Sequence, residues 1–306
     1  MSSTLPTFTN SGGNLALHAA GYAGPDWTYH VQQCLLQNDQ TGGSLDTAWI
    51  TYNNLFHRDG HLFLGKVEAP GPSPFSMWPD IATFATPEIT VGEHAWALDA
   101  NRWGAKLGFV HKSFSAEAGW LGSGNGLPTA ADFATTPGTD KTFQWKVAHS
   151  PANRPLEYGL FGSLRSYTVS TGAADHYGSI AGYVEKDPQS NGVPGFLAMY
   201  QIANDANPGL DALGNQLPAA QSHALSAEIY EPIFKNGAVL SLRDEFTTDG
   251  LGTFIRYGNI DLAFNVPHVP YVHGYIEAGL GGHSGTPSGG PDWRWILWWT
   301  TPIGQL

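Results

Sequence analysis

The amino-acid sequence predicts an all-β fold, an antiparallel up-and-down transmembrane β-barrel with about 15 strands visible and 16 in the full wall. Three observations lead there. Apolar and polar residues alternate with a period of two along most of the chain. The connections between alternating segments are short and long in turn. The composition is rich in aromatic rings and poor in charge.

Only 13% of the 306 residues are charged, against 38 Gly, 11 Trp and 12 Tyr. That charge density is low for a soluble globule of this size, and abundant Trp and Tyr suit a membrane-water boundary. An aromatic-rich soluble β protein, such as a sugar binder, shares this composition. No run approaches the roughly 18 to 20 uncharged apolar residues of a membrane helix, and Ile296 to Trp299 is interrupted by Arg294 and Thr300. Cys34 is the only cysteine, which excludes an internal disulfide, a paired-cysteine zinc site and a C-x-x-C-H haem attachment; it reads as a small strand residue. A net charge of -12 with no Lys/Arg run argues against a nucleic-acid partner. Met1 to Asn10 lacks the basic start and apolar core of a secretory signal, so an exported chain is expected here in mature or incomplete form, as one barrel domain over residues 1–306.

The alternation defines two faces. Trp103, Ala105, Leu107 and Phe109 fall on one side of a strand whose other side carries Arg102, Lys106 and glycine. Phe114, Ala116, Ala118 and Trp120 oppose Ser115 and Glu117, and Phe143, Trp145 and Val147 oppose Gln144 and Lys146. Val272, Ile276, Ala278 and Leu280 oppose His273, Tyr275 and Glu277. A soluble sandwich also alternates, but its outward face is usually dense in Lys, Glu and Thr. A sparse, glycine-rich polar face fits a barrel with a polar lumen.

Strand candidates begin near Asn14, Trp27, Asp46, Gly60, Ala97, Ser113, Lys141, Pro155, His176, Gly192, Ser222, Gly237, Gly252, Pro270 and Trp293. After odd-numbered candidates the connections are mostly tight, as at Gly24 to Asp26 and His111 to Lys112. After even-numbered ones they are often long: Pro70 to His94, Gly122 to Asp140, Asn207 to Gln221 and Gly281 to Asp292. Membrane barrels place short turns on the periplasmic side and long loops outside. The first candidate then runs downward from the outer side, and the expectation is one further strand before Asn14, giving an even number with Leu306 in the periplasm.

The segment Ala48 to Phe75, AWITYNNLFHRDGHLFLGKVEAPGPSPF, resembles paired strands of bacterial outer-membrane porins of the phosphate-selective group, in which a strand with a Gly-Lys or Gly-Arg pair leads into a loop with Pro, Phe and Ser. Lys141 to Asp187 is similar to a hairpin of porin-like barrels found beside or fused to c-type haem segments. The resemblance implies a Gram-negative outer-membrane porin. Two departures are the missing haem-binding segment and a terminal Leu306 where Phe is common. It also implies that the loop after Pro70 folds into the lumen as a constriction, with Pro74, Phe75, Trp78 and Asp80 in it; an ordinary extracellular loop is the alternative.

Extending the alternation assigns Lys66, Glu68, Arg102, Lys106, Glu117, Lys146, Arg165, Arg243, Glu245 and Glu277 to the pore lining, together with Glu157, Glu228 and Arg294. Charged rings of this kind set pore selectivity, although cross-strand ion pairs would equally support the wall. Lys66, Arg102 and Lys106 flank the expected constriction. No catalytic constellation is evident: His111 and Ser113 share a face but fall in a tight turn, and Asp175 and His176 point to opposite faces. No cofactor is expected, and the five-residue spacing of His268 and His273 fits no metal site. Trp293, Trp295 and Trp299 suit a lipid-facing closing strand, with Trp298 on the other face. The expected partners are outer-membrane lipid and small polar solutes or anions, with a homotrimer and a c-type cytochrome as further partners. The functions in competition are passive diffusion, a sheath or anchor for an electron-carrying cytochrome, and a secreted carbohydrate-binding β protein.

Overall fold

A strand that is apolar on one face and polar on the other is stable only where both faces meet suitable surroundings, and its backbone groups need partners on both edges. The chain meets the second demand with one long antiparallel ladder. The computed structural model describes residues 15–37, 40–41, 45–68, 70–72, 88–91, 94–97, 101–121, 141–152, 154–168, 174–188, 192–206, 215, 217–233, 238–248, 250, 252, 254–266, 272–283 and 292–299. The wall strands are β1 (Leu15–Tyr22), β2 (Trp27–Gln37), β3 (Leu45–Leu55), β4 (Gly60–Glu68), β5 (Asn101–His111), β6 (Phe114–Leu121), β7 (Lys141–His149) and β8 (Leu156–Thr168). They continue as β9 (Ala174–Lys186), β10 (Gly195–Asp205), β11 (Ala220–Ile233), β12 (Ala238–Thr248), β13 (Phe254–Asn265), β14 (Val272–His283) and β15 (Asp292–Trp299). Each pairs with the next in chain order, so the topology is up-and-down throughout.

Every expected strand has its counterpart in this wall. The main difference lies before β5, where the sequence suggested a strand starting near Ala97. Residues Glu88–Val91 and His94–Ala97 instead form a hairpin of their own, apart from the wall, and β5 begins at Asn101.

One end of the sheet carries the connections 23–26, 56–59, 112–113, 150–155, 187–194, 234–237 and 266–271; the other carries 38–44, 69–100, 122–140, 169–173, 206–219, 249–253 and 284–291. The longest three all lie at the second end, in the order that the sequence suggested. The order is not strict, since 169–173 and 249–253 are brief links at the long-loop end. Tight turns at the first end use left-handed backbone even without glycine, with Phe56, His57, Arg58 and Lys112 at φ 48°, 60°, 79° and 55°.

The burial pattern is the reverse of a soluble protein's. Ile50, Leu64, Trp103, Leu107, Trp120, Leu160, Leu164, Ile180, Leu225, Ile229, Leu242 and Ile260 are exposed. On the opposite face Thr51, Gln144, Ser163, Gln201, Ser222, Glu228, Ser241 and Asp261 are buried. Along β11 the alternation runs without a break from Ala220 to Tyr230, with Leu225 and Ile229 turned out and Ser222, Ser226 and Glu228 turned in. Apolar outside and polar inside is the arrangement of a sheet wrapped by lipid around a polar interior. Among the described residues no helix is long and apolar enough to cross a membrane.

The sheet curls around its own loop. The Nζ of Lys146, on the inner face of β7, donates to the carbonyl of Gly71, just past the end of β4, at 3.2 Å. Farther along the same connection, strand Glu88–Val91 lies against β10, β11 and β12, across the wall from the β4 and β5 stems. Among the described residues no ladder joins β15 to β1, and the sheet is open there.

The exposed face should behave as a lipid contact. Ile260, in the middle of β13 and 52% exposed, is expected on changing to Lys to lose roughly 2–4 kcal/mol of stability in vesicles. Reversible urea unfolding in phospholipid vesicles measures this; an unchanged midpoint would mean that the face meets water.

Candidate functional site

The face turned away from the apolar surface is the candidate site. On β4 to β8 it is rich in cations held by near neighbours. Lys106 on β5 sits 3.1 Å from the Glu117 carboxylate on β6, with its ammonium 4.9 Å from the centre of the Phe63 ring. Lys146 on β7 lies 3.1 Å from Glu157 on β8, and over the ring of Tyr183 on β9 at 5.4 Å. Glu157 also accepts from the Tyr183 hydroxyl at 2.5 Å and from Ser150 at 2.9 Å, so one carboxylate ties β7, β8, β9 and the intervening turn together. Arg165 on β8 donates to the Tyr177 hydroxyl at 3.1 Å and stacks above that ring at 5.5 Å.

On β9 to β13 the same face turns acidic. Ser241 donates to Glu228 at 2.6 Å and Ser226 donates to Glu245 at 3.1 Å. Arg243 lies 3.9 Å from Glu245. Asn259 donates to both oxygens of Asp261, which is fully buried. Gln201 donates to Ser179 at 3.0 Å. Buried polar groups of this density need such partners, because each one left unmatched costs about 1–3 kcal/mol. A third sector, on β2 to β4, is neutral: the His30 ring is 3.1 Å from the Thr47 hydroxyl, and the His61 ring 3.1 Å from Asn53, which donates to Thr28.

The structure thus brings Arg102, Lys106, Glu117, Lys146, Glu157, Arg165, Glu228, Arg243 and Glu245 to the face opposite the exposed apolar residues. Lys66 and Glu68 depart from the simple alternation. In register Val67 opposes Arg102, whereas Lys66 opposes Trp103 and Glu68 opposes Asn101, which sets both one residue out of phase with Arg102. Between Leu64 and Lys66 stands Gly65 at φ +131°, where a Cβ would meet the Ala48 carbonyl oxygen. Lys66 is buried, its ammonium donating to the Leu45 carbonyl at 2.6 Å, and Glu68 is exposed. Glu277 lies in β14 and Arg294 in β15, in register with one another. Pro74, Phe75, Trp78 and Asp80 lie outside the described residues.

His111 is held not by Ser113 but by Asp59 of the neighbouring turn, at 2.7 Å. His176 is exposed beside the loop end of β9. Among the described residues no group of three or more His, Cys, Asp or Glu could hold a metal ion.

Sequence reading missed Tyr183, Glu185, Asp205, Asp261 and the amide Gln201 as members of this face. Their parity was readable: Tyr183 and Glu185 alternate with Val184 as Asp205 and Gln201 do with Ile202 and Asn204.

An antiparallel sheet of this length, apolar outside and charged within, has the fold of bacterial outer-membrane β-barrels. Comparison with solved structures bears this out. The chain is similar to a loop L8 deletion mutant of OmpT, an outer membrane protein of Vibrio cholerae (TM-score 0.58, 13% identity, 92% of this chain and 89% of that one). It is similar to the outer membrane channel DcaP of Acinetobacter baumannii (TM-score 0.56, 12% identity, 93% and 83%). It is also similar to a porin whose structure was refined at 1.8 Å (TM-score 0.57, 9% identity, 92% and 91%). No protein-family model and no curated protein matches the sequence.

The Glu157 node should carry measurable stability. Glu157→Ala removes the partner of Lys146, Tyr183 and Ser150 at once, and is expected to cost about 2–4 kcal/mol. Tyr183→Phe, which removes only one donor, should cost about 1 kcal/mol. Urea midpoints of both variants in vesicles check the order; equal losses would show that the Tyr183 hydroxyl alone holds the node.

Proposed function

We propose that the chain is a porin-like channel of the outer membrane, which lets small polar solutes diffuse passively through its interior. The observation that carries this is the inverted surface: Ile229, Leu242 and Ile260 face outward while Glu228, Ser241 and Asp261, their neighbours in sequence, face inward. A wall of this kind contacts lipid outside and offers water and solutes a charged, hydrogen-bonding surface inside. The likeness in fold to a porin and to an outer-membrane channel supports the reading. The connection 69–100 narrows the passage, since Gly71 reaches Lys146 and strand Glu88–Val91 rests on β10 to β12. No catalytic step is assigned to the chain.

Reconstitution in a planar bilayer tests the proposal. The purified chain is expected to give stepwise ion currents, and deletion of residues 86–98 to raise the unit conductance. Silent traces from a folded protein would sink the channel reading and favour a sheath filled by its partner. Unchanged conductance in the deletion variant would mean that the hairpin lies clear of the pathway.

A further inference from the structure

The sign of the charge differs between the two ends of the sheet. At the long-loop end the seven connections contain no Lys or Arg, and their acids include Asp39, Asp80, Asp132, Asp211 and Asp249. At the opposite end Arg58, Lys112, Arg154 and Lys235 stand among Asp26, Asp59 and Asp187. By strand order, most of the net charge of -12 therefore falls within the connections that join strands at one end. It is not a uniform property of the chain.

The inner wall continues this asymmetry. Along β9 to β13, with strand Glu88–Val91 resting on β10 to β12, the described inward residues carry Glu185, Asp205, Glu228, Glu245 and Asp261 against Arg243 alone. On the other side, each of Lys106 and Lys146 has a carboxylate 3.1 Å away. The ammonium of Lys66 is engaged by the Leu45 carbonyl. Lys66, Lys106 and Lys146 are thus tied to wall groups, Arg165 is held by the Tyr177 hydroxyl, and Arg102 is buried.

We infer that the favoured solutes of this channel are cations, drawn in at the long-loop end and passed along the acidic β9 to β13 wall; the inference rests on the channel reading. A cleft with one sign of charge and low-dielectric walls raises the local concentration of counter-ions. The reach of such a field is about 10 Å at 0.1 M salt and about 3 Å at 1 M. The preference is therefore a low-salt property, and connection acids contribute to it without touching the solute. The resemblance of residues 48–75 to phosphate-selective porins points to the opposite sign, which makes the measurement decisive.

The test is the reversal potential of the reconstituted chain in a KCl gradient. Potassium is expected to permeate several-fold better than chloride near 0.1 M, with the ratio falling towards one near 1 M. A triple variant of the long-loop end, Asp39→Asn, Asp211→Asn and Asp249→Asn, is expected to lower the ratio at 0.1 M. Asp26→Asn, at the opposite end, should leave it close to the parent's. These positions lie in connections, so the wall is preserved. An open channel that favours chloride, or whose ratio ignores both salt and the triple variant, overturns this inference alone. A silent bilayer overturns the channel reading and this inference with it.

Discussion

The constraint on which everything else depends is the absence of water as a hydrogen-bonding partner in the membrane interior. A backbone N–H or C=O that faces hydrocarbon unpaired costs several kcal/mol, so a crossing chain must satisfy all of them internally. The antiparallel ladder from β1 to β15 is the means of doing so. Once the backbone is satisfied between neighbours, side chains are released from that task. Leu160, Ile180 and Leu225 can face lipid because nothing polar behind them is left exposed.

The interior then poses the converse problem. Inside the curl, charged and amide side chains crowd one another, and each must find a partner or a solvated space. Glu157 illustrates the solution: it is met by an ammonium, a phenol and a hydroxyl from three directions. Such nodes cross-link strands that are otherwise joined only by the backbone, so the charged lining has a structural role. Some of its cations are spent on the wall, and a solute in the proposed channel would meet only the remainder. This is why charges counted along the sequence say little about selectivity until their neighbours are known.

Strand existence was legible because the period of two is enforced residue by residue: one slip would turn Leu225 inward and Glu228 outward. The grouping of long connections at one end was legible for the same reason, since it needs only strand number. Two things were not. Lys66 was assigned to the lining although it shares the parity of the exposed Leu64; Gly65 between them adopts a backbone conformation that interrupts the alternation, and a sequence does not announce which glycine will do so. The hairpin at residues 88–97 was read as connection up to His94 with a wall strand starting near Ala97, because Ala95, Trp96 and Ala97 run on towards Trp103 without a strong turn signal. Side-chain pairing was out of reach altogether: His111 meets Asp59, a residue 52 positions away.

One outward feature runs against the lipid-facing rule and can be reconciled with it. Arg256 on β13 and Asp244 on β12 form a bidentate pair on the exposed face, at 2.8 and 3.1 Å, among Leu242, Phe246, Phe254 and Ile260. A lone arginine there would be costly, but the cost falls steeply from the bilayer midplane towards its surfaces. Arg256 lies two residues from the loop end of β13 and Asp244 four from the loop end of β12. Both are therefore close to the headgroup region. Pairing cancels their net charge, and the Phe246 and Phe254 rings, 5.7 Å apart at the same end, belong to the aromatic level of a membrane boundary. The pair thus marks where the apolar band ends on this side of the wall, and it does so at the end from which the acidic connections extend.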